Sequence, residues 1–253
     1  MGIHTQIISD GTLYLSIHRS VYYRSFFVFS FHPGIRFNRF FSSFFKASLL
    51  VMIPFLIWDI WFQSLQVWWF NERYLMGIKL FSLPVEEVLF FICMPFSWIF
   101  VYFCLEKFIR IGVGARMEQF LIYTLVATFF IWGMVEYEHI YSCFTFLTAS
   151  LTLLFLNYSQ TEQFIGKATL VYLLILLGVF PIYGAVMAIL GSTEAILLYN
   201  PEHYLQIKFG MVWIEELVYW YELFLWNLFF FKMFAGDHAS LANAVVPTAK
   251  NSE

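Results

Sequence analysis

The chain has 253 residues, of which 61% are hydrophobic and 12% charged, and its net charge is −3. A soluble domain carries about 25% charged residues to cover its wetted surface, so this composition excludes an ordinary water-soluble domain, a disordered chain and a nucleic-acid binder with a basic face. The three cysteines, Cys93, Cys104 and Cys143, all lie in apolar runs and are no disulfide framework.

A helix needs roughly 20 apolar residues to cross the hydrocarbon core. In chain order the first candidate is 12–31, interrupted by His18, Arg19 and Arg24. The second, 44–63, carries Asp59. The third, 88–105, is uncharged and follows Pro84. Residues 120–135 form a shorter stretch that stops at Glu136. Residues 140–161 and 168–190 are uncharged, and 217–231 carries Glu222. Loop charges orient such a bundle. Arg36, Arg39, Lys46, Lys107, Arg110, Arg116, Lys167, Lys232 and Lys250 fall on one side, against Arg73, Lys79 and Lys208 on the other. The C-terminus is therefore expected in the cytoplasm of what reads as a bacterial cell membrane protein, with a small, polar, disordered tail over 236–253.

An ungapped shift of 129 positions superposes the chain on itself. Phe70-Asn71 falls on Tyr199-Asn200, Ile78-Lys79 on Ile207-Lys208, and Val85-Glu86-Glu87 on Ile214-Glu215-Glu216; Phe90 and Phe91 fall on Tyr219 and Trp220. Apolar matches mean little in a membrane chain, but matched Asn, Lys and paired Glu carry weight where polar residues are scarce. The expected architecture is an all-α polytopic membrane bundle of about seven transmembrane helices. It comprises two parallel three-helix repeats, 1–110 and 139–235, joined by a connector span over 111–138, with the repeat axis along the membrane normal.

Acids at a helix start interact favourably with its dipole by about 0.3–1 kcal/mol, and for a single Glu pair that bland reading suffices. Recurrence of the pair, the apolar runs behind it, and Glu222 two turns beyond Glu215 favour a functional site, because acids within spans face a bundle interior and carry function. Adjacent helical residues point about 100° apart, so at most one Glu of each pair aims into a shared chamber. Burial and a like-charged neighbour favour the protonated form of a carboxylic acid, which suits acid–base work on a substrate without polar handles. Trp58, Trp61, Trp68 and Trp69 lie near Asp59; Phe90, Phe91, Trp98, Tyr219, Trp220 and Trp226 lie on the Glu-bearing spans. Most serve as interfacial belts; a few can stabilise a cation through their π faces. Gly112-Val113-Gly114 stops short of a dinucleotide fingerprint. The histidines form no H-x-x-x-H ladder, there is no D-D-x-x-D, and Lys232 lies at the end of the last span rather than deep within it, as a retinal lysine would. No cofactor and no metal are expected.

Phe55-Leu56-Ile57-Trp58-Asp59-Ile60, Val67-Trp68-Trp69-Phe70-Asn71 and Leu83-Pro84-Val85-Glu86-Glu87-Val88-Leu89-Phe90-Phe91, with Tyr199-Asn200-Pro201 and Ile214-Glu215-Glu216, resemble the membrane-integral lycopene cyclase family. That family occurs as two-subunit bacterial enzymes and as fused forms, including the cyclase half of fungal bifunctional proteins. The likeness spans roughly 30–232. Two departures stand out. Trp213 replaces the family's proline, which predicts a differently shaped start to the last span, and the first span is less apolar.

The resemblance implies a redox-neutral isomerase, an intramolecular lyase, that closes β-ionone rings on lycopene drawn from the bilayer. Membrane lipid and carotenoid-pathway enzymes are the implied partners, and no nucleic acid. It implies Glu86 or Glu87 and Glu215 or Glu216 as proton donor and acceptor, with Trp58, Asp59, Phe90, Phe91, Tyr219, Trp220 and Glu222 around the substrate. Asn71 and Asn200 either hydrogen-bond the carboxylates or cap loops, while Lys79 and Lys208 snorkel to headgroups. A proton-coupled transporter and a non-catalytic carotenoid-binding protein are the rival readings.

Overall fold

The computed structural model describes residues 26–72, 75–109, 112–159, 164–189, 197–210 and 212–236. Helix α1 is Phe41–Ser64, α2 Val85–Phe108, α3 Ala115–Val135, α4 Ile140–Ser159, α5 Ile165–Ile189 and α6 Ile214–Ala235. Each of these falls on one of the expected spans from the second onward. Of the 12–31 span, 12–25 lie outside the described residues and 26–29 are helical; of the 236–253 tail only 236 is described. The Arg19 and Arg24 departure therefore also lies outside the described residues.

Among the described residues, four stretches are long and apolar enough to cross a membrane: Phe37–Ser64, Val85–Phe108, Ala115–Val135 and Ile140–Ser159. Their outer faces stay apolar. Leu49, Leu50, Ile53, Ile57 and Trp61 form an exposed stripe on α1, and Phe120, Tyr123, Phe130, Ile131 and Met134 expose α3. Such stripes would be costly in water; against lipid tails they are matched to their solvent.

Helix α6 is the most enclosed element. It packs on α1, α4, α2 and α5, and Leu223, Phe224, Leu225 and Leu228 are fully buried. That position accounts for its acids: a charged helix is tolerated in a bundle when it is surrounded by protein. Pro95 sits inside α2. A helical proline cannot donate to the carbonyl four residues back, here Phe91, and the Ser48 hydroxyl of α1 donates to that carbonyl at 2.9 Å. The freed group is thereby satisfied and α1 is stitched to α2.

Among the described residues three short antiparallel ribbons, not anticipated from the sequence, lie in the connections. Strand β1 (Trp68–Phe70) pairs with β4 (Leu197–Tyr199), β2 (Lys79–Leu80) with β3 (Leu83–Pro84), and β5 (Lys208–Phe209) with β6 (Val212–Trp213). The shift of 129 carries β1 onto β4, β2 onto β5 and β3 onto β6. Register follows it as well: Lys79 faces Pro84, and Lys208 faces Trp213. In the β1–β4 ribbon the central pair is Trp69 with Leu198, which the shift interconverts. The ribbon is thus symmetric about its own middle.

Candidate active site

Helices α2 and α6 start alike. Pro84 precedes α2 at φ −60°, ψ 146°, and Trp213 precedes α6 at φ −68°, ψ 147°. The expected change of shape at Trp213 does not occur. The position asks only for an extended residue before the helix, and tryptophan adopts that conformation without strain. What tryptophan adds is a face for Lys208, whose Nζ lies 4.0 Å from the ring centroid. Its counterpart Lys79 instead pairs with Glu72 at 3.2 Å, where both are exposed.

The Glu pairs split in the same way in both halves. Glu86 Oε1 accepts the Met76 backbone N–H at 2.6 Å, and Glu215 Oε1 accepts that of Leu205 at 2.8 Å. Ser142 Oγ of α4 adds a 2.5 Å hydrogen bond to Glu215. The second members face elsewhere. Glu216 accepts from the hydroxyls of Tyr141 and Tyr199. Glu87 lies within electrostatic range of Asp59, Tyr199 and Tyr219.

Asp59, near the end of α1, joins the second members: it lies within electrostatic range of both Glu87 and Glu216. Its Oδ1 accepts from Tyr219 at 2.9 Å. Its Oδ2 and the Trp58 Nε1 are buried and have no hydrogen-bond partner among the described residues. Asp59 is 5% exposed, Glu215 0% and Glu216 9%. Carboxyls so enclosed are sustained by pairing and hydrogen bonds or by holding a proton. Tyr199, in β4 outside the helices, is held well above the usual phenol range by burial first and then by the charge of Glu216, so it remains a donor.

Aromatic rings wall this cluster. Trp58 meets Tyr219 edge-on at 5.0 Å and Phe144 at 4.7 Å, while Phe55 meets Tyr219 at 5.2 Å and Phe91 at 6.3 Å. Phe90 and Trp220 pack on each other at 6.2 Å, and Trp220 on Trp98 at 6.5 Å, in a neighbouring group between α2 and α6. Glu222, 2% exposed, accepts from Thr148 at 3.0 Å and Thr152 at 2.9 Å, and Trp226 Nε1 donates to Thr152 at 3.1 Å. Both of its oxygens are engaged in tying α4 to α6. Asn200 Oδ1 accepts from the Glu202 N–H at 3.2 Å, capping the turn Pro201–His203; of its two expected roles the loop cap is the one present. Asn71 directly follows β1 and is half-buried. Among the described residues no group of three or more His, Cys, Asp and Glu is arranged to hold a metal.

Sequence reading missed Tyr141, Ser142 and Tyr199. The one available signal was Tyr199 itself, which places a hydroxyl where the first half has Phe70. Tyr141 and Ser142 open an uncharged span and carry no local mark.

The family model described as Lycopene cyclase matches residues 12–105 and 138–234. No curated protein and no solved structure matches the chain. The matched stretches make up most of the sequence and contain both Glu pairs, Asp59 and Tyr199. The chain belongs to the lycopene cyclase family, a family of carotenoid-cyclising enzymes, and is a multi-pass integral membrane protein.

Proposed function

We propose that this member of the lycopene cyclase family closes β-ionone rings on lycopene by acid catalysis, with Glu87, Glu216 and Asp59 as its working acids. The reaction moves no electrons to or from a carrier. A carboxyl proton adds to the terminal trisubstituted alkene and leaves a tertiary cation. The neighbouring double bond attacks that cation, closing a six-membered ring and shifting the charge to a ring carbon. A carboxylate removes an adjacent ring proton, and the ring double bond forms. Atoms balance, so the product is an isomer of the substrate.

The observation that carries this reading is the convergence of three acids, from α1, α2 and α6, beside the rings of Phe55, Trp58, Phe91 and Tyr219. A hydrocarbon offers nothing to hydrogen-bond, so catalysis must come from an acid that keeps its proton out of water and from walls that tolerate positive charge. Positioned acid–base groups contribute about 10²–10⁴-fold, and each well-placed π face about 0.5–2 kcal/mol. Glu222, saturated by Thr148 and Thr152, positions α4 against α6. The chain acts as two repeats, 1–110 and 139–235, with 111–138 connecting them. Its lysine and arginine asymmetry places the C-terminal side in the cytoplasm.

The test is to express the full chain in a membrane that accumulates lycopene and to analyse the pigments. Cyclic carotenoid of unchanged formula is expected. Acyclic pigment alone, with the protein present in the membrane, contradicts the proposal; pigment bound and returned unchanged replaces it with a carrier role.

A further inference from the structure

We infer that Glu86 and Glu215 are positioning residues: each latches its own hairpin loop to the start of its helix, and so aims the adjacent Glu87 and Glu216 into the chamber. This deepens the reading of the site given above and rests on it for the role of the inner acids, but the latch stands on geometry of its own.

Two sets of hydrogen bonds and one backbone conformation recur under the shift of 129. The donor Met76 becomes Leu205 and the acceptor Glu86 becomes Glu215, with N–H···O distances of 2.6 and 2.8 Å. Behind each donor the chain turns through a left-handed residue, Gly77 at φ 81° or Gln206 at φ 60°. The loop is then closed a second time, by Val85 N to Ile78 O at 2.9 Å and by Ile214 N to Ile207 O at 3.0 Å. A glutamine carries no glycine-like freedom at positive φ, so Gln206 holds that conformation only because its surroundings fix it.

Helix geometry explains why the first Glu takes this task. Side chains on a helix lean toward its N-terminus. A Glu in the first turn therefore reaches back over the loop that precedes it, where a backbone N–H meets it. The next residue is rotated by about 100° and is directed to the interior, where Glu216 finds Tyr141 and Tyr199. One tandem pair thus supplies a fastener and a reagent. Both latch glutamates leave Oε2 buried with no partner among the described residues, so a single oxygen of each does the fastening.

Glutamine retains a carbonyl oxygen that accepts the same N–H but has no carboxyl proton to give; alanine retains neither. The experiment uses the full chain in lipid nanodiscs. It measures amide exchange over 75–82 and 204–210 alongside ring formation from added lycopene. The variants are Glu86→Ala, Glu86→Gln, Glu215→Ala and Glu215→Gln. Each alanine variant is expected to speed exchange in its own loop about fivefold to tenfold, as loss of one hydrogen bond implies, and to lower ring formation by up to about a hundredfold through misplaced acids. Each glutamine variant is expected to restore both most of the way. Glutamine variants as inactive as alanine overturn the inference, because a proton at the first Glu is then required. So do alanine variants whose loops exchange at the parental rate, or whose loops open while rings still form at the parental rate. If the parent itself makes no rings, the cyclase reading fails, and the exchange data still decide whether the latch exists.

Discussion

Tyr199 and Phe70 occupy positions related by the shift of 129, and only the first bears a hydroxyl. That hydroxyl hydrogen-bonds Glu216, so Tyr199→Phe removes one donor from a buried acid. It places no foreign shape in the ribbon, because phenylalanine already fills the equivalent position of β1. A hydrogen bond to a charged group is worth about 1.5–3 kcal/mol. Initial rates of ring formation are therefore expected to fall roughly 10- to 100-fold at unchanged protein yield. Unchanged rates would mean that Glu216 is held sufficiently by Tyr141. Asp59 was legible in the sequence as an acid inside a span; its partnership with Tyr219 was not, because the two are brought together only by the packing of α1 on α6. Helical geometry alone sets adjacent side chains about 100° apart, so at most one Glu of each pair is expected to aim into a shared chamber. Which one does so depends on a loop N–H that no pattern in the sequence marks.

At the scale of elements, Pro95 and Ser48 form a compensated pair. Pro95 prevents the helix from satisfying the Phe91 carbonyl, and Ser48 does so from α1. Ser48→Ala alone leaves a buried acceptor unpaired and is expected to lower stability by about 1–3 kcal/mol. Combined with Pro95→Ala the loss should shrink, because the restored N–H returns to the Phe91 carbonyl. Thermal unfolding in detergent across the four-member cycle checks this; equal losses in the single and double variants would contradict it. Helix positions were legible because runs of apolar residues against lipid leave one economical structure. The helices extend past those runs, α2 to Val85 and α6 to Ile214, because their first turns carry the paired glutamates and so read as polar. The ribbons were not legible. Strands of two or three residues are too short for an alternating pattern, and the β1–β4 pairing joins segments far apart in the chain.

At the scale of the molecule, the shift of 129 read from a few polar residues also relates the strands, their register and the loop hydrogen bonds. Helix α3 has no counterpart in that relation, and the family match omits it between 105 and 138. It packs chiefly on α4, and Glu118 Oε1 accepts the Gly166 N–H from α5 at 3.1 Å. The chain should therefore tolerate a break at 112–114 better than one near Tyr137. Fragments ending and beginning at 112–114 are expected to restore ring formation when co-expressed and to give none singly, since Glu87 and Glu216 are then on separate pieces. Cyclic pigment from either fragment alone would mean that one half holds a complete site.

The proposed ring closure depends on a proton held by the inner acids of both repeats. The measurement that reaches it most directly is the initial rate of ring closure by Glu87→Gln and Glu216→Gln, each in the full chain, in lycopene-containing membranes at matched protein. Glutamine keeps the size of the side chain and removes the acid, so each rate should fall by at least about 10²-fold while the protein stays in the membrane. Parental rates in both variants would contradict the account.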